Sequence, residues 1–303
     1  MSGRNYDDAS MTLRHSLLAV MVMVVWGANF VVIDLGLTDV PPLLFVAVRF
    51  ALVAFPWVFF IPRPRGKMGD VIAIGLFMSL GQFTLLYLAL ALGLPSGIAS
   101  LLLQAQVLFT IALAALALRE TPTIRQIWGA GFGTGGLLIV AGAHGSSAAA
   151  LPIVVVLGAA LSWAIGNVIS RRSGIQGGLS IVVWSALVVP LPAVGVSLLV
   201  DGPDEVTRAL VEFSGTAAAS TAYTAYGASL VGYAVWNSLL SKYPAGAVVP
   251  FVLLVPPIGM TAGWLVLAET PTQFEVLGAV VMLAGVALAT IRVNRKRPPA
   301  RAV

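Results

Sequence analysis

Long apolar runs dominate this chain, and their length restricts its fold more than any other feature. Ten such stretches follow one another, each bounded by turn-forming or charged residues. Each is close to the roughly 20 residues that a transmembrane helix needs, and lipid demands that backbone groups be paired internally. None of the runs alternates with a period of two, so helices are predicted rather than strands. The predicted spans are 16–36, 42–61, 70–92, 96–118, 125–143, 151–170, 179–200, 216–240, 245–267 and 273–292.

The composition agrees with a membrane-embedded chain and excludes several functions. Apolar residues make up 59% of the chain and charged residues 10%, whereas soluble domains are about one quarter charged. The absence of cysteine excludes disulfides and cysteine-based metal sites. The net charge of +5 is distributed over loops and tails, so nucleic-acid binding is not expected. The first run is too long for a signal-peptide core and lacks a small-residue cleavage site, so we expect it to be retained.

Lysine and arginine residues predict the orientation, because cytoplasmic loops carry the excess of positive charge. With ten spans and both ends inside, fifteen of the 17 basic residues fall on the cytoplasmic side. Only Arg208 falls outside, and Arg49 lies within a span. We therefore predict a multi-pass membrane protein with cytoplasmic tails at 1–13 and 293–303; the resemblance described below implies the bacterial inner membrane.

An internal duplication divides the chain into two halves. When residues 95–136 are placed over 244–285, eleven positions are identical, including the four residues ETPT. A second similarity between the halves relates Trp26-Gly-Ala-Asn29 to Trp163-Ala-Ile-Gly-Asn167. Because each half holds five spans, an odd number, the second copy must insert upside down. The predicted fold is therefore an all-α integral membrane protein with ten transmembrane helices in two inverted five-helix repeats, 14–143 and 150–292, a device of transporters.

The duplicated Trp and Asn residues are the first candidates for a binding site. Trp26 and Asn29 share one face of span 1, and Trp163 and Asn167 share one face of span 6. Each asparagine could bond a neighbouring helix and each tryptophan could fill a gap in the packing. Alternatively, the two pseudo-symmetric pairs line a central cavity.

Two glutamines interrupt the apolar run of span 4. Gln104 and Gln106 each need hydrogen-bond partners, because burying an unpaired amide costs roughly 2–7 kcal/mol. Their positions differ by about 200° around a regular helix, so they cannot share a face. We therefore expect at most one of them to point into a cavity, and the other to bond a neighbouring helix.

Arg49 is the only basic residue inside a predicted span. Such charges are costly in lipid and usually face the interior of a bundle. Three partners stay open for Arg49: a backbone carbonyl, Asp34 near the end of span 1, or the carboxylate of a substrate.

An aromatic stripe and a pair of prolines complete the candidates. Tyr226 and Tyr233 lie along one predicted stripe of span 8, which is either packing or the polar-edged wall of a site. Pro256 and Pro257 in span 9 predict either a static kink or a hinge for alternating access. Span 4, the twin of span 9, has no internal proline, so we expect the two halves to bend differently.

Other motifs argue against nucleotide-driven or enzymatic chemistry. The sequence GxGxxG at 131–136 lies inside a predicted span rather than after a strand, so it indicates close helix packing instead of dinucleotide binding. A GxxxxGK[ST] motif is absent, and so are a metal-ligand cluster and a plausible catalytic set. Neither an enzyme nor a cofactor is predicted.

Several of these motifs together resemble a known family. WGANF in span 1, Arg49-Phe50 in span 2, PSGIASLLLQAQ in span 4, PFVLLVPPIG in span 9, and Glu120 and Glu269 after spans 4 and 9 are similar to the EamA family of the drug/metabolite transporter superfamily. The resemblance covers residues 14–292.

The resemblance implies a secondary transporter that exports small polar metabolites, with O-acetylserine, cysteine and related amino acids as the leading substrates. A broad drug or amphiphile efflux protein, or a flippase of the same superfamily, is the alternative, and a non-transporting membrane scaffold is a third reading. If protons are coupled to transport, Asp34 is the nearest candidate, because no span has an obvious carboxylate at mid-depth.

Overall fold

A computed structural model describes residues 11–143, 147–175 and 177–291, and the secondary structure within these ranges is helical. The predicted tails therefore lie outside the described residues, apart from residues 11–13. Ten helical segments coincide with the ten predicted runs. They are α1 (Leu13–Gly36), α2 (Pro42–Phe59), α3 (Met68–Ala91), α4 (Ser96–Ala117), α5 (Ile124–Ala143), α6 (Ser147–Ser173), α7 (Leu179–Val200), α8 (Gly215–Ala222, Tyr223–Val231 and Gly232–Lys242), α9 (Ala245–Val248, Val249–Leu254 and Val255–Leu267) and α10 (Gln273–Thr290).

Eight of these helices are both long enough and apolar enough to cross a membrane, within the part of the chain that is described. The exceptions are α5 and α8. Helix α5 is rich in glycine, and α8 is rich in serine, threonine and tyrosine. Such residues lower the mean hydropathy, but they also let helices pack closely and bond one another. The exceptions are therefore chemically suited to positions between other helices.

The duplication extends to the local backbone geometry. Arg119 and Ala268, which are 149 residues apart, are the two non-glycine residues with a left-handed conformation in the described chain, at φ 54° and 56°. They end α4 and α9. In the following turns, Thr123 and Thr272 cap α5 and α10, and each exchanges hydrogen bonds with the residue three positions later. The repeated ETPT is thus a shared corner between helices.

Both α4 and α9 are interrupted, at equivalent positions. In α4 the α-helical pattern breaks at Leu103–Gln104, between Ser96–Leu102 and Ala105–Ala117. In α9 the six residues Val249–Leu254 form a 3-10 helix before Val255–Leu267. The expectation was that the two halves would bend differently, and the interruptions do differ, with two residues in α4 and a six-residue 3-10 segment in α9. Lost backbone bonds are tolerated in membrane helices where neighbouring groups satisfy them, so proline is not required for a break.

A π-helical segment also occurs in each half. It covers Gly75–Gly81 in α3 and Tyr223–Val231 in α8, which correspond under the same offset of 149 residues. Segments of π-helix are rare and occur frequently at functional sites. An extra residue per turn rotates the following side chains relative to a regular helix.

Helices α5 and α10 pack through two glycine pairs, Gly129 with Gly285 and Gly136 with Gly278. Each pair joins one glycine of α5 to the repeat equivalent of the other. A Cβ atom on Gly129 would lie 2.6 Å from the carbonyl oxygen of Gly285, and one on Gly136 would lie 2.6 Å from that of Gly278. The pairs show that the two equivalent helices run antiparallel, as expected for inverted copies. Residues 131–136 lie within this helix, so the prediction of close packing is confirmed, whereas a dinucleotide-binding turn is absent there.

The two ends of the bundle differ in how α4 and α9 meet. Ser96–Leu102 packs extensively against Val255–Leu267, and we call this end the Ser96 face. We call the opposite end, which includes Arg171 in the last turn of α6, the Arg171 face. There Ala105–Ala117 packs against α6 instead. Among the described residues, it has no comparable packing against Val249–Leu254. The bundle is therefore closed between α4 and α9 at one end only.

Candidate functional site

Arg49 lies at the centre of a buried polar cluster between α2, α3 and α8. Its side chain is only 2% exposed. The Nη1 atom donates to the hydroxyl of Tyr87 at 2.8 Å, and Nη2 donates to that of Ser229 at 3.1 Å. The hydrogen bonds therefore go neither to a backbone carbonyl nor to Asp34, which excludes two of the three partners left open by the sequence.

The charge of Arg49 has no carboxylate partner in the described chain, where the ion pairs join Arg171 to Glu120 and Arg208 to Glu205. The guanidinium carbon lies 4.0 Å from the ring centroid of Phe83, an arrangement that stabilises a cation partially. The buried Nε atom has no hydrogen-bond partner among the described residues. A buried charge without a counter-ion is costly, so this site is chemically suited to an anion.

Trp26 contacts α8 at the residue directly before the one that Arg49 contacts. Its indole nitrogen donates to the carbonyl of Ala228 at 2.9 Å, and Ala228 precedes Ser229 in the π-helical segment of α8. The indole ring lies 5.0 Å from that of Tyr233. The structure thus brings Trp26, Tyr233 and Arg49 together around one turn of α8.

Two buried amide oxygens lack partners. Asn29, one turn beyond Trp26, is 7% exposed, and Gln82, next to Phe83, is 1% exposed. The Oδ1 atom of Asn29 and the Oε1 atom of Gln82 make no hydrogen bond to any residue that the structure describes. Since most buried polar atoms in proteins are bonded, these two acceptors and the Arg49 Nε donor call for an explanation, which a polar ligand would supply.

Gln104 and Gln106 have different environments, in agreement with the expectation that they do not act alike. Gln104 is buried, and its Nε2 atom donates a long hydrogen bond of 3.5 Å to the carbonyl of Val252 in α9. Gln106 is half-buried and makes no side-chain hydrogen bond to the described residues. The physical reason differs from the predicted one, since the helix is interrupted between Leu102 and Ala105.

The second Trp/Asn pair has a less enclosed position. Asn167 donates to the hydroxyl of Thr110 at 3.4 Å, which joins α6 to α4. The ring of Trp163 lies 6.5 Å from that of Phe83, the ring that also contacts Arg49. The pair is therefore connected to the Arg49 cluster through Phe83. Asn167 bonds a neighbouring helix, which is what the packing alternative expected of it.

Tyr226 and Tyr233 do not form the predicted stripe. Tyr226 is 38% exposed, whereas Tyr233 packs against Trp26. Tyr226 lies within the π-helical segment Tyr223–Val231 and Tyr233 follows it, so the register of α8 shifts between the two tyrosines. Tyr223 reaches α1 instead, with its hydroxyl donating to the carbonyl of Val25 at 3.0 Å.

Pro256 and Pro257 lie in the first turn of the α-helix Val255–Leu267, directly after the 3-10 segment. Proline is well suited to the first turn, because the missing N–H has no intrahelical partner there. The prolines therefore restart α9 rather than kink a continuous helix.

The family comparison agrees with the duplicated architecture. The profile of the EamA-like transporter family matches residues 13–142 and, a second time, residues 150–291. The chain belongs to the EamA-like transporter family. The resemblance inferred from the sequence motifs is thereby confirmed, and the two matches fit an architecture of two repeats.

Relatives of this EamA-like chain include named exporters. A protein of Salmonella typhimurium described as "Probable amino-acid metabolite efflux pump" is 40% identical over 281 residues, covering 91% of this chain and 94% of the relative. An Escherichia coli K12 protein of the same description is 39% identical with the same coverage. A protein of Streptantibioticus cattleyicolor described as "Probable terminal-alkyne amino-acid exporter" is 25% identical over 290 residues.

A solved crystal structure has the same fold, with a TM-score of 0.59 and 18% identity over 93% of this chain and 99% of the matched chain. Together with the family and its relatives, the helices identify this EamA-like protein as a multi-pass membrane transporter and not an enzyme.

Sequence reasoning missed four residues of the Arg49 cluster: Phe83, Tyr87, Gln82 and Ser229. Gln82 carried the same signal as Gln104, an amide within an apolar run, and could have been found. The others could not, because tyrosine, phenylalanine and serine are common in packed membrane helices. Their roles depend on the π-helical register of α3 and α8.

Proposed function

We propose that this EamA-like transporter is a ten-span secondary exporter of small amino acids and related metabolites that works by alternating access. The cluster around Arg49 is the proposed substrate site. The observation that carries the proposal is the buried Arg49 guanidinium, which is bonded only by neutral hydroxyls and lacks a carboxylate partner within the described chain.

The carboxylate of an amino acid supplies the missing counter-charge. It binds Arg49 through the unpartnered Nε atom and through Nη donors that Tyr87 and Ser229 hold in place. Bonds between guanidinium and carboxylate are about twice as strong as neutral ones, so this contact supplies much of the affinity.

The ammonium group of the substrate carries donors only, and the Asn29 and Gln82 oxygens are buried acceptors without partners. We assign these two oxygens to the ammonium. Trp26 and Tyr233 form an aromatic wall beside them, and Trp163 extends that wall through Phe83. The proposed site includes Gln104 as well, whereas Gln106, Asn167 and the exposed Tyr226 contribute at its edge.

Alternating access requires a path that opens to one side at a time. The tight packing of α4 on α9 at the Ser96 face, and its absence between their other halves in the described chain, support a state open towards the Arg171 face. The distribution of basic residues supports a cytoplasmic location of that face and of both termini, in the inner membrane. The restart of α9 at Pro256 and Pro257 is the proposed hinge.

O-acetylserine and cysteine are the leading substrates because they are small zwitterions that match one cationic donor and two neutral acceptors. The descriptions of the relatives as amino-acid exporters support this class. If transport is coupled to protons, Asp34 is the proposed carrier, since it is a half-buried carboxylate near the end of α1.

Counterflow tests this proposal. The purified protein is reconstituted into liposomes loaded with unlabelled O-acetylserine, and uptake of labelled O-acetylserine, cysteine and a panel of amino acids is measured. Uptake that requires a loaded amino acid supports the proposal. Flux of cationic amphiphiles without amino-acid flux would indicate a broad efflux protein instead. The absence of flux for every solute would indicate a non-transporting scaffold. The same assay under an imposed pH gradient, with Asp34→Asn as the variant, tests proton coupling.

A further inference from the structure

Glu269 binds the beginning of α4 from the end of α9. Its Oε1 atom accepts from the backbone N–H of Ser96 at 2.6 Å, and its Oε2 atom accepts from the Ser96 hydroxyl at 3.1 Å and from the N–H of Gly97 at 3.0 Å. A carboxylate at a helix N-terminus also complements the helix dipole. Three charge-assisted bonds thus join two helices that belong to different repeats.

Glycines make this contact possible. A Cβ atom on Gly263 would lie 2.2 Å from the Oε2 atom of Glu269, so only glycine leaves space for the carboxylate. A Cβ atom on Gly259 would lie 2.5 Å from the hydroxyl oxygen of Ser100, and one on Gly97 would lie 2.8 Å from the Cα atom of Met260. The Ser96 face is therefore shaped for tight closure around Glu269.

The other repeat has the same glutamate but not the same contact. Glu120 is the twin of Glu269, and its backbone N–H reaches Ala114 as that of Glu269 reaches Gly263. The carboxylate of Glu120, however, pairs with Arg171 at 2.8 Å in a partly exposed position. Ala114 replaces the glycine that makes room for the carboxylate. The two repeats therefore differ in structure at the first residue of ETPT, the longest stretch of sequence that they share.

We propose that Glu269 is a latch that holds the transport path closed at the Ser96 face, and that its release from Ser96 and Gly97 opens the path there. The assignment rests on the proposed function, and it names the residue that controls access to the same site. A cleft of about 150 Å³ beside the latch, lined by Met260 and Glu269 among others, marks where the path would open. Glu120 has no such role, which makes it a matched control.

The latch is tested by the rate at which a half-buried thiol reacts. The chain has no cysteine, so Met260→Cys provides a single reporter thiol beside the latch. The protein is placed in lipid nanodiscs, where both faces are accessible, and labelled with a charged maleimide. We expect Glu269→Gln to raise the labelling rate at least about tenfold, because the amide NH2 that replaces one carboxylate oxygen cannot accept a hydrogen bond. The N–H groups of Ser96 and Gly97 then no longer each have an acceptor oxygen of their own. Glu120→Gln leaves the rate unchanged.

Gly263→Ala is a second variant, in which the added methyl group displaces the Glu269 carboxylate without changing its charge. It should raise the labelling rate as well, and it still tests the latch if Glu269→Gln does not fold. Equal labelling rates in a folded latch variant and its parent would overturn the latch, as would an equal increase with Glu120→Gln. The assay needs no substrate. Faster labelling together with absent counterflow would therefore support the latch while rejecting the transport assignment.

Discussion

The side-chain amide of Gln104 donates to the backbone carbonyl of Val252 at 3.5 Å, across the two points where α4 and α9 are interrupted. This bond lies at the boundary between the closed halves of the two helices and the halves that do not pack. If access alternates as proposed, α4 and α9 move relative to each other at this bond.

We predict that Gln104→Leu abolishes O-acetylserine export without lowering the amount of protein in the membrane. Leucine fits the apolar surroundings but removes the bond to the Val252 carbonyl, which then accepts only from the N–H of Val255. Loss of one such hydrogen bond costs about 0.5–1.5 kcal/mol. Export from cells and membrane levels by immunoblot check this prediction. Gln106→Leu is the matched control and should retain most of the export, since Gln106 is half-buried and lies beyond the interruption. Normal export by well-expressed Gln104→Leu protein would remove Gln104 from the site.

The helices were predictable because lipid leaves few alternatives for a long apolar run. Eight of the ten predicted spans meet the length and apolarity of a membrane helix, and the repeat was visible in ETPT. The interruptions were not predictable from proline alone. Leu103–Gln104 breaks without one, because hydrogen bonds to a neighbouring helix decide whether an α-helical bond can be lost.

We predict that Arg49→Lys lowers kcat/KM for amino-acid counterflow by about 10-fold or more, although it keeps the charge. Lysine has a single point charge and cannot bond the Tyr87 and Ser229 hydroxyls as a fork while contacting a carboxylate. Loss of one hydrogen bond to a charged group costs about 1.5–3 kcal/mol, which gives this magnitude.

The control for Arg49→Lys is Arg63→Lys, which changes an exposed arginine outside the cluster. Its counterflow should equal that of the parent. Tyr87→Phe should lower the affinity for substrate more than the maximal rate, because the phenol positions the guanidinium without bearing charge. Unchanged kinetics in Arg49→Lys would disprove a bidentate carboxylate contact.

The site was less predictable than the fold, and the reason is geometric. Arg49, Trp26 and Tyr233 were found from their residue types, and the structure brings them together. Tyr226 was placed with them because a period of 3.6 was assumed through α8. The π-helical segment Tyr223–Val231 breaks that period, and sequence periodicity contains no signal for it.

We predict that Gly136→Ala lowers the melting temperature, whereas Gly131→Ala does not. A Cβ atom on Gly136 would lie 2.4 Å from the backbone nitrogen of Met282 in α10, while nothing lies within 4 Å of one on Gly131. Forcing atoms into a packed contact typically costs about 1–3 kcal/mol. Thermal unfolding of the purified variants in one detergent, followed by size-exclusion chromatography, provides the comparison. Equal melting temperatures would contradict the backbone contact between α5 and α10.

We predict that Trp26→Phe destabilises the protein and weakens substrate binding more than Trp163→Phe does, although the two tryptophans are repeat equivalents. Phenylalanine keeps an aromatic ring in both places but removes the indole N–H. At Trp26 this leaves the Ala228 carbonyl unpaired next to Ser229, the residue that holds Arg49, whereas no hydrogen bond from Trp163 to another described residue is lost.

The expected cost for Trp26→Phe is about 1–3 kcal/mol. The loss should appear both in the melting temperature and in the shift of that temperature on adding O-acetylserine, because a ligand that binds the folded state stabilises it according to its affinity. Trp163→Phe is the control at matched chemistry. An equal effect of the two substitutions would mean that the repeats share one function at these positions, and that the binding site is as symmetric as the fold.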